Sequence, residues 1–387
     1  MKIVRLANYV APASGGLRTA LRELGAGYLA AGHEPVLIIP GSRPERPPTE
    51  QGLVITVPGP RVPGTGGYRA ITARRPLRRL LDDLEPDRLE VSDRTTLRWT
   101  GGWARRRGVR SVMVSHDSLA TLVWMFAPPG VPVRGLVDGL NRDTAQSYDV
   151  VVCTTAWAGA EFRRLGVPNL VQVPLGVDLA CFHPARGDEA LRSRLAPDGA
   201  WLLVHCSRLS PEKRPERAVG ALAELRRRGV PAVLVIAGDG PQRRWLQAKA
   251  ARLPVSFLGH VTDRGLLASL LATADVVIAP GPAETFGLSA LEALASGTPV
   301  VVNSRSALPE VVGPAGFSAE DDDAAYADAI ERLLRRDAAG RRRLARAQAE
   351  RFDWPTAVDG FLAAHGLSPM PRGSGTESPP SALACQS

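Results

Sequence analysis

The sequence has few cysteines and no long apolar run. Its 387 residues include four cysteines, none in a C-x-x-C pair, which argues against a disulfide framework or a zinc site and favours a reducing compartment. The apolar run in the opening MKIVRLANYV is too short for a signal peptide, and no stretch reaches the about 18 apolar residues of a spanning helix. We therefore expect a cytoplasmic protein whose contact with a membrane, if any, is peripheral.

Lysine and aromatic residues are also scarce. Lysine occurs only at Lys2, Lys213 and Lys249, so arginine supplies nearly all of the positive charge behind the net charge of +9. That charge favours anionic partners such as nucleotides and phospholipid headgroups. Aromatic residues make up 5% of the chain, and no recognised motif interleaves them with the arginines, so no nucleic-acid partner is expected.

The chain is long enough for two domains, and short apolar runs alternate with helical patterns throughout it. One βαβ series runs from KIVRLA to YDVVVCTT, and a second runs from WLLVHCSRLS to PVVVNS. Such series are typical of parallel sheets covered by helices on both faces. The sequence therefore predicts an α/β protein of two Rossmann-like doubly wound domains facing a central cleft.

Breaks in this pattern set the predicted domain boundaries. The N-terminal domain is expected at 1–173, and Pro, Gly and Asp in VPLGVDLACFHP mark an interdomain linker at 174–184. The C-terminal domain is expected at 185–351. A helix at 352–366 is expected to pack back on the N-terminal domain, and the Pro-, Ser- and Gly-rich tail at 367–387 is expected to be disordered.

Two stretches could bind phosphate. Gly15 and Gly16 lie between the first strand and the first helix, where backbone N–H groups can receive an anion, although a Gly-Gly turn alone is more often just a tight strand-to-helix connection. In SRLSPEKRP, Arg208 and Lys213 follow the first strand of the second domain. A guanidinium and an ammonium at this spacing can hold a diphosphate from two sides, and the alternative is a solvated basic loop.

His116 follows the strand VRSVMV in the first domain. A histidine at the carboxyl end of a strand can hydrogen-bond a sugar hydroxyl or act as a general base. The alternative is that its hydrogen bonds are made locally, without a substrate.

The stretch ETFGLSALE places Glu284 and Glu292 eight residues apart. If Gly287 opens a helix, this spacing is just over two turns of about 3.6 residues, so both acids lie on one side and can grip two parts of one ligand. The N–H groups of Gly287 and Leu288 would add donors for phosphate, while the acids would face neutral sugars. The alternative makes Glu284 a helix-dipole partner and Glu292 an ordinary solvated acid.

These motifs together resemble the family 4 glycosyltransferases of GT-B fold. The resemblance rests on the Gly-Gly turn, SRLSPEKRP, VSFLGHV and ETFGLSALEALASGTPVV, whose two glutamates match the family's E-x7-E signature, and it covers nearly all of residues 1–366. It implies a retaining hexosyltransferase that uses a nucleotide diphosphate sugar and needs neither a metal nor another cofactor. No pair of free carboxylates suggests a covalent intermediate, so we expect front-face transfer, in which the departing phosphate oxygen deprotonates the acceptor.

The resemblance also assigns roles to residues. Glu284 would bind the hydroxyls of the donor sugar, Glu292 the ribose, and Arg208 with Lys213 the diphosphate. His116, Arg208, Lys213 and Glu284 are the expected catalytic residues. The remaining residues expected to bind the donor are Gly15, Gly16, His260, Val261, Phe286, Gly287 and Leu288, with the backbone of His260 and Val261 at the base.

The first domain further resembles actinobacterial GDP-mannose-dependent mannosyltransferases that extend phosphatidylinositol mannosides. The matching stretches include SGGLRTALRELG and LEVSDRTTLRWTG. This resemblance implies transfer of mannose from GDP-mannose to a glycolipid of the phosphatidylinositol mannoside type. Two alternatives remain at this point: a UDP-sugar-dependent enzyme with a soluble or polysaccharide acceptor, and a non-catalytic nucleotide-sugar-binding protein.

A lipid acceptor would require contact with a membrane, and the segment Arg69–Leu84 is the candidate surface. It carries Arg74, Arg75, Arg78 and Arg79 beside a row of leucines. On an anionic surface at the inner face of the cell membrane, the arginines would reach headgroups and some leucines would dip inward. The alternative is a surface helix whose leucines pack on its own sheet.

Overall fold

The computed structural model describes residues 1–10, 15–62, 67–116, 118–120, 134–369 and 385. They form two compact units. The first consists of the described residues of Met1–Leu175 and Trp354–Gly373, and the second of those of Gly176–Asp353 and Ser374–Ser387. Apart from 367–369 and Cys385, the tail predicted to be disordered lies outside the described residues.

The first unit is built on an eight-stranded sheet, because short apolar runs in this half of the chain form strands, of which the central ones are buried on both faces. The strand order is β3-β4-β2-β1-β5-β6-β7-β8, and all neighbours are parallel except β3 and β4. The strands are β1 Lys2–Leu6, β2 Glu34–Gly41, β3 Pro48–Thr49, β4 Gly52–Pro58, β5 Arg88–Val91, β6 Arg110–Ser115, β7 Val150–Cys153 and β8 Leu170–Gln172. The helices described in this unit are α1 Gly16–Ala30, α2 Arg74–Leu84, α3 Trp99–Arg107, α4 Arg134–Ser147, α5 Ala156–Arg163 and, from the end of the chain, α14 Trp354–Ala364.

Helix α14 completes the core of the first unit. It packs on α1 so closely that a Cβ atom on Gly27 would lie 2.3 Å from Cγ2 of Val358. Just beyond the helix, Nε2 of His365 lies 3.2 Å from Oε2 of Glu90 on β5. Glu90 also binds Nε of Arg5 at 2.9 Å and the hydroxyl of Tyr28 at 2.7 Å. A buried charged network therefore ties the end of the chain to its first strand.

The second unit has a six-stranded parallel sheet of order β11-β10-β9-β12-β13-β14. Its strands are β9 Trp201–Cys206, β10 Ala232–Ala237, β11 Val255–Gly259, β12 Val276–Ala279, β13 Val300–Asn303 and β14 Gly316–Ala319. The described helices are α6 Glu189–Leu195, α7 Glu216–Arg227, α8 Arg243–Lys249, α9 Arg264–Thr273, α10 Leu288–Ala295, α11 Leu308–Val312, α12 Asp323–Leu334 and α13 Ala338–Ala349.

Most of the predicted linker belongs to this second unit. The N–H of Val177 donates to the carbonyl of Phe352 at 2.9 Å, and the Asp178 carboxylate accepts from the N–H of Cys181 at 2.9 Å. Cys181 forms a disulfide with Cys385, so the expectation of no disulfide is wrong for this pair. The two cysteines are 204 residues apart, and spacing motifs in the sequence cannot reveal a pair at that distance.

Candidate active site

In the second unit, the strand order reverses between β9 and β12, which is where open parallel sheets bind ligands. Residues that follow these two strands line a small recess, to which α10 adds Ser289. Ser207 and Lys213 come from the chain after β9, and Gly281 and Glu284 from the chain after β12. The topology thus places two of the predicted catalytic residues in one recess.

The loop that carries Arg208 and Lys213 is held tightly by the turn after β10. A Cβ on Gly238 would lie 1.9 Å from the carbonyl oxygen of Ser207, and one on Gly240 would lie 2.4 Å from that of Leu209. Neither position can accept a side chain unless the loop moves. These two glycines are a part of the site that the sequence interpretation missed, although their GDG pattern directly after an apolar strand is a usable signal.

Lys213 and Glu284 contact each other directly. Lys213 ends a single 3-10 turn that begins at Pro211, and its Nζ lies 2.6 Å from Oε1 of Glu284. The side chains are 30% and 18% exposed, so both can be reached from the solvent. The residue expected at the diphosphate is therefore beside the residue expected at the donor sugar.

Helix α10 begins at Leu288, directly after Gly287. Gly287 has φ 77°, and a Cβ there would lie 2.2 Å from Cδ2 of Leu308, so glycine is required for both reasons. No side chain caps this helix start, which leaves its first N–H groups suited to an anion. The prediction that both acids lie on one helix is wrong for Glu284, which precedes the helix and is presented by the turn before it.

Glu292 lies inside α10, and its charge acts on Cys206 at the end of β9. Burial, together with that charge, raises the pKa of Cys206 to about 12, so the thiol stays protonated and is a poor nucleophile. Phe286 is buried and packs edge-to-face on Phe352, with ring centroids 5.8 Å apart. Phe286 therefore anchors the turn between Glu284 and α10 in the core.

His205 is a buried residue of this site that the sequence interpretation did not single out. Its Nδ1 lies 2.9 Å from the carbonyl oxygen of Ile278, and its Nε2 lies 3.1 Å from Oγ of Ser207. Burial lowers its pKa to about 4, so the ring is neutral and donates from Nδ1 to the carbonyl. It joins β9 to β12 beneath the recess.

The residues expected at the base follow the edge strand β11. His260 is exposed and Val261 is half-buried. His260 lies near Asp239, whose pKa is lowered by the N–H of Gly240, by Arg243 and more weakly by His260. The structure therefore places this stretch beside the turn that holds the Arg208 loop.

In the first unit, the strand order reverses beside β1, between β2 and β5. Helix α1 begins at Gly16, and Gly15 before it has φ 126°. Both glycines are exposed, and no side chain caps the helix start. The geometry leaves N–H groups that can receive a phosphate.

His116 follows β6 at the same end of this sheet. Its Nε2 lies 3.1 Å from Oγ of Ser92, which follows β5. His116 is half-buried, and the loss of hydration lowers the pKa of its imidazole to about 4, so the ring is neutral near pH 7. A neutral ring can orient a hydroxyl without adding positive charge.

Helix α2 exposes Arg74, Arg75, Arg78 and Arg79. Its Leu77, Leu80 and Leu81 are buried in the core of the first unit. The prediction that some leucines dip into a membrane is therefore wrong for these three, and the alternative of leucines packed on the helix's own sheet holds. Only the arginine face of the helix is available to a partner.

No helix of the described residues is long and apolar enough to cross a bilayer. Among the same residues, no group of three or more His, Cys, Asp or Glu side chains is placed to hold a metal ion.

The chain matches family models in both units. A model of the glycosyl transferase 4-like domain matches residues 15–176, and one of the glycosyl transferases group 1 matches residues 201–336. The chain is 49% identical over 368 residues to a GDP-mannose-dependent alpha-(1-6)-phosphatidylinositol dimannoside mannosyltransferase of Mycobacterium tuberculosis (strain ATCC 25177 / H37Ra). That match covers 95% of this chain and 96% of the relative.

Solved structures show the same fold at lower identity. A sucrose-phosphate synthase from Thermosynechococcus elongatus has a TM-score of 0.73 at 22% identity, with 92% of this chain and 96% of that chain covered. Anabaena HepE in complex with UDP has a TM-score of 0.74 at 19% identity, with 95% and 100% covered. These results confirm the predictions of family and fold. The chain belongs to the family 4 glycosyltransferases, and its two parallel-sheet units have the GT-B fold.

Proposed function

We propose that the chain transfers mannose from GDP-mannose to a glycolipid of the phosphatidylinositol mannoside type, with retention at the anomeric carbon. The observation that carries this proposal is the 49% identity, over 95% of the chain, to an enzyme named for that donor and a phosphatidylinositol dimannoside acceptor. The recess between β9 and β12 supports it because it combines an ammonium and a carboxylate with the unblocked start of a helix.

The donor's diphosphate binds Arg208 and Lys213, which offset the charge that develops on the leaving group. Glu284 accepts hydrogen bonds from hydroxyls of the mannose, and Glu292 accepts them from the ribose. Phe286, Gly287 and Leu288 shape the turn whose N–H groups face the phosphates, and His260 with Val261 meets the guanine. Gly15 and Gly16 are proposed as further phosphate-binding residues, because the N–H groups at the start of α1 have no side-chain cap.

In the transfer step, the bond between the anomeric carbon and the phosphate oxygen breaks, and the electron pair stays on GDP. The acceptor hydroxyl attacks from the same face, and its proton moves to the departing phosphate oxygen. His116 orients a donor hydroxyl, and because its ring is neutral it does not oppose the positive charge that builds on the sugar. No carboxylate is needed as a nucleophile.

We include metal independence in the proposal, because Arg208 and Lys213 supply the positive charge that a divalent cation would otherwise provide. Turnover should therefore survive excess EDTA. A requirement for Mg²⁺ or Mn²⁺ would contradict this part of the proposal alone.

The proposal also places the protein at the cytoplasmic, inner face of the cell membrane, bound peripherally. The four exposed arginines of α2 would contact anionic headgroups while the apolar face of the helix stays in the core of the first unit. Binding by this face is electrostatic, because the three buried leucines cannot also enter the bilayer.

The test is to incubate the purified protein with labelled GDP-mannose, GDP-glucose, UDP-glucose and UDP-galactose, each with phosphatidylinositol dimannoside or with a soluble mannoside. We expect labelled lipid from GDP-mannose alone, with an α-linkage in the NMR spectrum of the product. Transfer from a UDP-sugar to the soluble acceptor would contradict the proposal. Absence of GDP release from every pair would point to a non-catalytic binding protein.

A further inference from the structure

A buried ion pair lies near His116 in the first unit. Nη2 of Arg94 lies 3.0 Å from Oε1 of Glu161, and the two side chains are 7% and 8% exposed. Nη1 of the same guanidinium donates to Oδ1 of buried Asn141 at 3.0 Å, and Cζ lies 5.4 Å from the centroid of the Phe162 ring. Burying two charges is costly, and an apolar pair of similar size is often as stable, so the pair needs an explanation other than stability.

The Glu161 carboxylate also holds the backbone that follows His116. Its Oε1 accepts from the N–H of Leu119 and its Oε2 from the N–H of Ala120, both at 3.2 Å. Leu119 and Ala120 are helical and lie three and four residues after His116. A carboxylate at the first N–H groups of a helical turn is favourable, and here it is supplied by a different helix, α5.

Arg94 belongs to the chain after β5, which contacts the ring of His116. It lies two residues after Ser92, whose Oγ is 3.1 Å from Nε2 of the imidazole. One ion pair therefore joins the chain after β5, which contacts the ring, to the chain after β6, which carries it. Asn141 on α4 fixes the guanidinium from a third direction.

We infer that Arg94 and Glu161 are positioning residues for His116, which hold its imidazole at the carboxyl end of β6 by joining the chain after β5, which contacts the ring, to the backbone three and four residues after His116. The inference rests on the proposed function only in taking His116 as the residue that meets the sugar. Neither Arg94 nor Glu161 has a part in the reaction itself.

The pKa of His116 gives a way to observe this clamp, which is the Arg94–Glu161 ion pair together with the hydrogen bonds of Glu161 to Leu119 and Ala120. Burial lowers the pKa of His116 to about 4, against an ordinary value of 6.5, with Glu90 on β5 opposing the shift and Arg5 on β1 adding to it. When the clamp is lost, the half-buried ring becomes more exposed to water, and its pKa rises toward the ordinary value. A protonated ring can no longer accept a hydrogen bond, and its charge opposes that of the transition state.

The experiment compares wild type with Glu161→Gln and Glu161→Asp. The first removes the charge of the ion pair, and the second keeps the charge but withdraws the carboxylate from the two N–H groups. The matched control is Arg164→Gln, because Arg164, at the end of α5, binds Asp138 on α4 at 2.5 Å, and none of the hydrogen bonds of the described residues joins this pair to His116, Leu119 or Ala120. Ring signals of the six histidines are followed by NMR from pH 3.5 to 8, with His116→Gln for assignment.

We expect His116 to titrate near pH 4 in wild type and in Arg164→Gln, and nearer 6.5 in both Glu161 variants. This measurement uses no substrate, so it holds even if the proposed donor or acceptor is wrong. An unshifted His116 titration in a folded Glu161 variant overturns the inference. If either Glu161→Gln or Glu161→Asp fails to fold, the His116 titration in the other variant tests the inference.

Transfer assays supply the second measurement. At pH 7.5 the Glu161 variants should lose about tenfold to a hundredfold in kcat, since a displaced imidazole orients the sugar poorly, with GDP affinity unchanged. Their kcat should fall further at pH 6, whereas that of the control should not. An equal loss of kcat at both pH values, with a lower Tm, would show a structural role only and contradict the inference.

Discussion

Nζ of Lys213 lies 2.6 Å from Oε1 of Glu284, although the two residues are 71 positions apart in the sequence. Under the proposed function they serve neighbouring parts of the donor, its diphosphate and its sugar. The donor must therefore share Lys213 with Glu284 or separate them. Both side chains are partly exposed, so the pair itself adds little to stability, and its effect should be seen in binding.

The first prediction concerns the leaving group. Arg208→Ala and Lys213→Ala should each lower kcat by about a hundredfold or more, because each removes a positive charge directed at the diphosphate. Lys213→Arg should have a kcat close to that of Lys213→Ala, since a planar guanidinium cannot take the place of a compact ammonium beside Glu284. Lys249→Ala, at an exposed lysine of the same unit, is the control. Near-normal rates in both alanine variants would contradict the assignment.

The second prediction separates the two acids. Glu292→Ala should weaken binding of free GDP, because Glu292 is proposed to accept from the ribose. Glu284→Gln should lower transfer but leave GDP affinity equal to or above that of wild type, because Lys213 loses its competing partner. Calorimetry with GDP measures both affinities. An equal loss of GDP affinity in the two variants would contradict the assignment of Glu292 to the ribose and Glu284 to the donor sugar.

The third prediction concerns the arginine face of α2. Replacing Arg74, Arg75, Arg78 and Arg79 with glutamine should abolish sedimentation with anionic vesicles at low salt, because each basic residue near such a surface adds about 1 kcal/mol of binding. Hydrolysis of GDP-mannose should persist. The same change at four exposed arginines of the second unit keeps the net charge equal and should leave sedimentation intact; these are Arg226, Arg227, Arg335 and Arg336. Wild-type protein that ignores the vesicles would rule out the peripheral contact.

The fourth prediction concerns Gly287. Gly287→Ala should destabilise the protein by about 2–4 kcal/mol, because the new Cβ meets Leu308 in addition to the cost of a left-handed backbone. Gly199→Ala is the matched control, since Gly199 has φ 70° in the same unit but nothing within 4 Å of the new atom. Gly199→Ala should lower the free energy of unfolding by only the cost of the left-handed backbone, about 1–2 kcal/mol. If urea unfolding gives the same loss of unfolding free energy for both variants, the side chain of Leu308 moves aside without cost and the prediction is wrong.

The fifth prediction follows from the buried network around Glu90. Burial alone would raise the pKa of Glu90, but Arg5 and the hydrogen bonds from His365 and Tyr28 hold it well below its ordinary value. A carboxyl with a depressed pKa stabilises the fold above the pKa of the unfolded chain, about 4.3, and this contribution is lost as the pH falls further. Stability should therefore decline below about pH 5.

Glu90→Gln tests this directly. At pH 7 it should cost about 3–5 kcal/mol in the free energy of unfolding, because Arg5 is left buried without its counter-charge. The decline from pH 5 to pH 3 should also be shallower than in wild type. Glu224→Gln, at a partly exposed acid paired with two arginines outside the core, should change little. A wild-type acid profile in Glu90→Gln would refute the prediction.

The sequence was enough to predict both sheets, because runs such as WLLVHC and AVLVIA have few polar residues and end at glycine or serine. It also located the residues at the carboxyl ends of β6 and β9. It could not predict the partners of those residues, since the pairing of Lys213 with Glu284 depends on which strands become neighbours. The burial of Arg5 and Glu90 could not be predicted either. A charged residue within a short strand indicates a solvent-exposed face of the sheet unless its ion-pair partner is known.

The position of α14 bears on the order in which the protein can fold during synthesis. Its residues complete the first unit, yet they leave the ribosome only after Gly176–Asp353, the larger part of the second unit, has been made. At about 5–20 residues per second, the nascent first unit waits on the order of ten seconds or more with the α1 surface around Gly27 uncovered and Glu90 without His365. In sequence, Gly176–Asp353 of the second unit is thus inserted into the first, so the first unit closes its core only after that segment has been made.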